Sequence, residues 1–533
     1  MSRPTLRVLL ALGAILIACG CSPKPEAVAE TPIPQPETSH LSKPQRAVIE
    51  QAQSKLDRAM SEPPAVRGRA WGELAEVYNG LDLRLEAVNC YQKAIQLQPQ
   101  ESRWPYLLGL LYQELAKPEM AFPHFQNVAK LDPNYLPNLL AIADYQMRQG
   151  DNRAAAAGYQ KVLELDPEQV LAIAGLATLS LESRDFQAAL EWAQKGLAIA
   201  PEVSRLHYLS AMALRGLGEF QKAEISFAKS QELQAKLPLH DPYFQPVQDL
   251  AQRHEILIAE GLEAEKTSQF GIAEKKFTEA IAWQPKSARV HYEYGRLLNR
   301  TGRYQEAIPS LEKSASLGPD QAPVDYQLGI ARNALGQGDA ALVHMKAAAA
   351  NTPEMVFYHL KAGDLARRLR KFPDALQIYN LALTHFPKDW RLIMGKVLCQ
   401  IYLDRDSDAA SILAGMAGKP QTPAPFYLLL ARLYAASPDN SVRDGAQALK
   451  LIQGLAEQGV NLDYLETGAM AMAEAGDFKQ AVDWQNAALE LASKSLQRDL
   501  SARLRQRLTL YKQGTPCREP FEKDAKIFFE PLG

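Results

Sequence analysis

Residues 68–101 read GRAWGELAEVYNGLDLRLEAVNCYQKAIQLQPQE, and this stretch decides the architecture. Trp71, Leu74, Ala75 and Tyr78 fall at i, i+3, i+4 and i+7, so they share one face of a first helix. Ala87, Tyr91 and Ala94 do the same for a second helix, and Pro99 follows it. Proline has no backbone N–H to donate and clashes with the preceding turn, so it closes that helix. The stretch spells helix, turn, helix, stop in 34 residues.

The unit repeats. Its alanine returns every 34 residues at Ala87, Ala121, Ala155, Ala189 and Ala223, and again at Ala273, Ala307, Ala341, Ala375 and Ala409. A fixed period of this length marks a solenoid of helical hairpins. The eighth position of each unit is small (Ala75, Gly109, Ala143, Ala177, Ala211, Gly261, Gly295, Gly329, Gly363), with Val397 the exception, so paired helices can approach closely. Tyr91, Phe125, Tyr159, Phe227, Phe277 and Tyr379 are expected to fill the gap toward the neighbouring unit. Gly150, Gly218, Gly302, Gly336 and Gly476 supply the permissive backbone of the turn inside a unit. Twelve pairs are expected, beginning near 68, 102, 136, 170, 204, 254, 288, 322, 356, 390, 424 and 462, with the last three drifting from the pattern.

Over roughly residues 68–492 the array resembles the tetratricopeptide repeat (TPR) family. The resemblance implies an all-α, right-handed superhelical solenoid of about twelve hairpins in two sub-arrays. It also implies a scaffold that binds a protein or peptide ligand in its concave groove, without catalysis or a cofactor.

Outside the period the chain reads differently. Arg3 and Arg7 precede an apolar run from Val8 to Ala18, too short to span a bilayer and suited to a secretory signal. Leu16-Ile17-Ala18-Cys19 resembles the bacterial lipobox, which implies acylation at Cys19, with Cys21 the alternative; residues 1–19 are then the signal peptide. Residues 20–43 are proline-rich and poor in large apolar side chains, the composition of a disordered tether. A helix over 44–60 is expected to cap the first repeat, giving a first array over 44–237. Between repeats five and six the alanine spacing jumps to 50, across a stretch with Pro238, Pro242 and Pro246 beside Tyr243 and Phe244. Residues 238–251 read as an ordered junction, with a ligand-gripping loop as the other possibility. Seven further units follow over 252–492, then a capping helix and tail over 493–533 with exposed-looking Phe528 and Phe529.

Net charge is −2 in 533 residues, so nothing drives the chain toward nucleic acid. Five cysteines make no disulfide framework, and nine histidines stand singly without metal-ligand spacing. A nucleophile elbow and a phosphate-binding glycine loop are both missing. No enzyme, nucleic-acid partner or metal is expected.

In the TPR family, positions 2, 5, 9, 12 and 13 of the first helices line the groove. Carried onto repeats seven to nine, they give Arg289, Tyr292, Arg296, Asn299 and Arg300, then Tyr326 and Asn333, then Leu360, Asp364, Arg367 and Arg368. The asparagine amides are expected to bond the backbone of an extended peptide, and the arginines its carboxylates. Tyr106, Tyr208, Tyr292 and Tyr326 would serve a carbohydrate ligand only if exposed. The leading expectation is a lipid-anchored adaptor of the bacterial envelope, on the periplasmic side of an outer membrane where the cell has one. The alternatives are an accessory subunit of an envelope enzyme or export complex, and a peptidoglycan- or polysaccharide-binding lipoprotein.

Overall fold

The computed structural model describes residues 32–233, 239–319, 321–419, 422–455, 461–494 and 498–532. The expected signal peptide, Cys19 and Cys21 lie outside them. Among the described residues the chain is all-α, with no strand. It divides into two compact units, one ending at Gln252 and the other beginning at Arg253.

The first unit opens with a helix over Lys43–Ala59, which packs on the first hairpin. Its five hairpins are Pro64–Gly80 with Arg84–Leu97, Arg103–Glu114 with Pro118–Leu131, Leu136–Arg148 with Asn152–Leu165, Val170–Glu182 with Phe186–Ile199, and Ser204–Gly216 with Phe220–Glu232. A short helix, Gln245–Ala251, ends the unit. Among the described residues the second unit stacks seven more. Repeats six to nine begin with helices Arg253–Lys266, Ala288–Arg300, Gln321–Ala334 and Val356–Arg368. Repeats ten to twelve begin with Trp390–Tyr402, Ala424–Ala436 and Leu462–Glu474, and helix Arg498–Lys512 packs on the last hairpin.

The period works through packing. Ala87, Ala121, Ala155, Ala189, Ala273, Ala307, Ala341, Ala375 and Ala409 are wholly buried. At position eight the missing side chain is filled by the large residue of the same hairpin. A Cβ on Gly109 would lie 2.5 Å from the Phe125 ring, and one on Gly261 2.6 Å from Phe277. Tyr379 goes further and lies between its own hairpin and the next, so that a Cβ on Gly363 or Gly395 would come within 2.5 Å of its ring. In repeat five, where the spacing breaks, the equivalent Phe227 is 45% exposed.

Turns follow from backbone chemistry. Gly150, Gly218, Gly302, Gly336 and Gly476 adopt φ between 75° and 88°, the left-handed region that glycine enters without a Cβ penalty. Asp151 and Asp477, next in sequence to two of them, cap the following helix by accepting from the N–H of Ala154 and Gln480. Three of the scattered histidines also have a structural task. His207, His291 and His359 each hold the carbonyl of the proline closing the preceding helix, at 2.8, 3.0 and 3.1 Å.

Two expectations about the ends change. The proline-rich stretch is not free up to residue 43: the Tyr78 hydroxyl donates to Pro34 O at 2.8 Å, and Leu41 is buried. Phe528 is also buried, because the tail folds back onto the second unit, as described next.

Candidate functional site

The first helices of the repeats carry the expected ligand face, and in each unit part of that face is covered by a non-periodic segment of the same chain. In the first unit the cover is the junction. Asp241, buried, accepts from the hydroxyls of Tyr106 (2.6 Å) and Tyr135 (2.5 Å) and from the Phe244 N–H (3.1 Å). Tyr243 stacks on Tyr135 at 4.2 Å, its hydroxyl 3.1 Å from that of Ser102. Helix Gln245–Ala251 then packs on the first helix of repeat one, where a Cβ on Gly80 would meet Leu250 at 2.9 Å. Burial first, then the Asp241 charge, pushes the Tyr106 phenol far above its ordinary range, so it stays a donor. Tyr106 is therefore withdrawn from any carbohydrate role; Tyr208 is exposed, while Tyr292 and Tyr326 are half-buried.

In the second unit the cover is the C-terminal tail, seated on repeats nine to twelve. Arg367 is completely buried beneath it. Its guanidinium donates to Phe528 O (3.0 Å), Ile527 O (3.3 Å) and Glu530 O (2.5 Å), and also to Asp364 (2.8 Å) and the Tyr379 hydroxyl (3.1 Å). Asp364 in turn accepts from the Leu532 N–H at 2.9 Å. This corrects the expectation for Arg367: a guanidinium spent on main-chain carbonyls is not a surface receptor for a ligand carboxylate. Nearer the end of the array, Glu466, fully buried, is shared by Arg507 (2.6 Å), Arg432 (2.9 Å) and Arg503 (3.2 Å). Burial raises its pKa, but the three guanidinium charges outweigh that and hold it below the usual carboxylate value. Sequence reading missed this knot, since Glu466, Arg432 and Arg503 belong to three elements that no single repeat brings together.

The remaining expected residues lie on repeats seven to nine, and the structure sorts them. Arg296 forks onto Glu265 (2.9 and 2.5 Å) and reaches Glu293 (2.9 Å), while Arg300 takes the same Glu265 at 2.9 Å. Glu265 is buried, so this is an internal rivet between repeats six and seven. Asn299, also buried, donates to the backbone and side-chain oxygens of Gln327 at 2.9 and 3.0 Å; its amide joins repeats seven and eight instead of awaiting a peptide. Asn333 is half-buried, and Tyr326 packs against Phe357 (5.1 Å) and Tyr358 (5.6 Å).

Arg289 and Tyr292 differ from these. Together with Glu293, Pro323 and Val324 they line an open recess of about 410 Å³ between repeats seven and eight. The Arg289 side chain is 55% exposed and pairs at 2.5 Å with Glu255, whose own side chain is 44% exposed. Cationic, aromatic and apolar groups meet here, the mix from which binding hot spots are made.

Among the described residues no cluster of three or more His, Cys, Asp or Glu could hold a metal, and no helix is long and apolar enough to cross a membrane. Cys90 and Cys399 are buried, and burial pushes the Cys399 thiol up to about 12, far from the reactive thiolate.

The tetratricopeptide repeat family model matches residues 140–204, 258–322 and 326–389, and a second model of the same repeat matches 68–101 and 204–237. The chain is a tetratricopeptide repeat protein. The chain is also similar to several solved structures. A crystal structure of MamA is 18% identical, covering 31% of this chain and 90% of its own, with a TM-score of 0.29. A tetratricopeptide repeat protein from Parabacteroides merdae is 16% identical, covering 47% and 92%, with a TM-score of 0.23. The P58(IPK) TPR domain is 16% identical, covering 71% and 99%, with a TM-score of 0.22. No curated protein matches the sequence. TPR arrays are protein-interaction scaffolds, and this chain is built as one.

Proposed function

We propose that the chain is a lipid-anchored, non-catalytic adaptor of the bacterial cell envelope, tethered through Cys19 (or Cys21), which grips a protein partner on the first-helix face of repeats seven and eight. The anchor rests on the sequence of residues 1–21: a basic start, a short apolar run and a lipobox-like cysteine. The observation that carries the binding site is the recess at Arg289 and Tyr292, open between repeats seven and eight and lined by no residue of the tail that covers repeats nine and ten. An Arg fork beside an aromatic ring suits an extended segment presenting a carboxylate and an apolar side chain.

Pull-down from detergent-solubilised membranes tests it, comparing wild type with Arg289→Ala/Tyr292→Ala. The double variant is expected to lose a partner that wild type recovers. Equal recovery of that partner by both chains refutes the site. For the anchor, Cys19→Ser/Cys21→Ser is expected to move the chain from the membrane to the soluble fraction, and an unchanged distribution refutes lipidation.

A further inference from the structure

The tail's seat is built like a receptor for a short turn of peptide. Lys526–Phe528 make one 3-10 turn and residues 529–532 leave it without helix or strand; the face they cover is the expected ligand face of repeats nine and ten. Most of the grip is on main chain: Arg367 takes the carbonyls of Ile527, Phe528 and Glu530, and Asp364 takes the Leu532 N–H. Such bonds do not depend on which side chains the segment carries. Side-chain recognition comes from an aromatic socket. Phe372 and Tyr402 stack at 3.5 Å, and Phe528 meets them edge-on at 6.3 and 5.4 Å. Phe529 lies 5.9 Å from Phe372, with the Arg370 guanidinium 4.8 Å over its ring. The seat is also larger than the tail: a cavity of about 540 Å³ opens beside residues 525–530, against Arg432, Tyr464 and Arg503 of repeats eleven and twelve and the capping helix.

We propose that this groove is a second peptide-binding site, recognising a short turn of chain that carries two adjacent aromatic residues, and that the chain's own Phe528-Phe529 occupies it as an intramolecular competitor. A partner segment of the same chemistry enters by displacing the tail and extends into the adjoining cavity. The tethered tail raises the threshold for entry, because a ligand attached in cis acts at high effective concentration.

The test uses a fluorescein-labelled synthetic peptide, EKDAKIFFEPLG (residues 522–533), and the purified chain in three forms. Chain lacking residues 526–533 is expected to bind the peptide at least tenfold more tightly than the full chain. The full-length Phe528→Ala/Phe529→Ala variant, whose tail is weakened but present, is expected to fall between them, and covers the case in which truncation damages the fold. Peptide with both phenylalanines replaced by alanine is expected not to bind. The proposal is overturned if full-length, double-variant and truncated chains bind the labelled peptide alike, or if neither altered chain binds it while its helical circular dichroism is intact. Loss of helical signal in the truncated chain, with no gain in the double variant, also overturns it, since the tail is then fixed core. These readings use different repeats from the Arg289 recess, so either proposal can fail alone.

Discussion

Removing the Arg367 side chain measures how strongly the tail is held on its seat. In Arg367→Ala five donor contacts vanish: one to a carboxylate, one to a phenol and three to carbonyls of the tail. Breaking a buried ion pair by deleting one partner costs about 3–5 kcal/mol, mainly because a charge is left stranded. Here the stranded group is Asp364, which keeps two donors, the Tyr379 hydroxyl at 3.0 Å and the Leu532 N–H at 2.9 Å. Its charge stays partly supported, which places the expected loss at the lower end, about 3 kcal/mol. The second bond depends on a tail that the mutation itself loosens, so the losses are coupled and will not add. Adding Asp364→Asn removes the charge and should recover about 1–2 kcal/mol, the cost typical of leaving a buried polar group unsatisfied. Hydrogen exchange in urea, read on the repeat nine and ten helices, gives the local free energy, and trypsin cleavage at Lys526 reports the tail. A loss below about 1 kcal/mol, with the tail still protected, would refute the reasoning.

Two further outcomes follow from packing and charge. Gly363→Ala puts a methyl 2.5 Å from a Tyr379 ring that Gly395 confines from the other side; overpacking of about 1–3 kcal/mol exceeds the roughly 1 kcal/mol gained in helix propensity, so a net loss of stability is expected in urea unfolding. Gly415→Ala, with nothing within 4 Å, should instead gain about 0.5 kcal/mol, and the opposite ranking of the two variants would be fatal to the argument. Glu466 has a lowered pKa when folded, so as pH falls below the ordinary value of 4.5 the unfolded chain takes up its proton first and stability drops until the folded carboxyl also titrates. Glu466→Gln should be less stable at pH 7 and show a shallower loss between pH 5 and 3 by thermal unfolding; an unchanged slope would show that the three arginines do not hold the charge.

The hairpins were readable from sequence because each obeys a local rule repeated many times. Ala121 and Ala307 had to be buried for their spacing to mean anything, and they are. Even the histidines carried a signal that went unread: His207, His291 and His359 stand six residues after a closing proline, whose carbonyl each one holds. What periodicity could not supply was cover. Arg296, Asn299 and Arg367 sit at positions that face a groove in the abstract repeat, yet each is committed to a neighbour. Glu265, Gln327 and the tail that receive them follow from the pairing of particular repeats or from residues outside the period. The same blindness made Phe528 look exposed and left the role of Asp241 unseen, since both act on residues more than 100 positions away in the chain.

The distinction between committed and exchangeable charge decides where a partner can enter. Arg296 and Arg300 meet a Glu265 side chain that is 3% exposed, and a ligand carboxylate taking their place would strand that buried acid, at a cost of several kcal/mol. Arg289 meets Glu255 in water, with both side chains more than 40% exposed, and such a pair contributes about 0–1 kcal/mol. Swapping Glu255 for a ligand's carboxylate therefore costs almost nothing, and the released Glu255 is resolvated at once. Tyr292 and the apolar wall of Pro323 and Val324 lie beside that same guanidinium, ready to add burial to the exchange. Of the arginines that the repeat pattern places on repeat seven, Arg289 is the one whose pairing a partner can replace without unmaking the array.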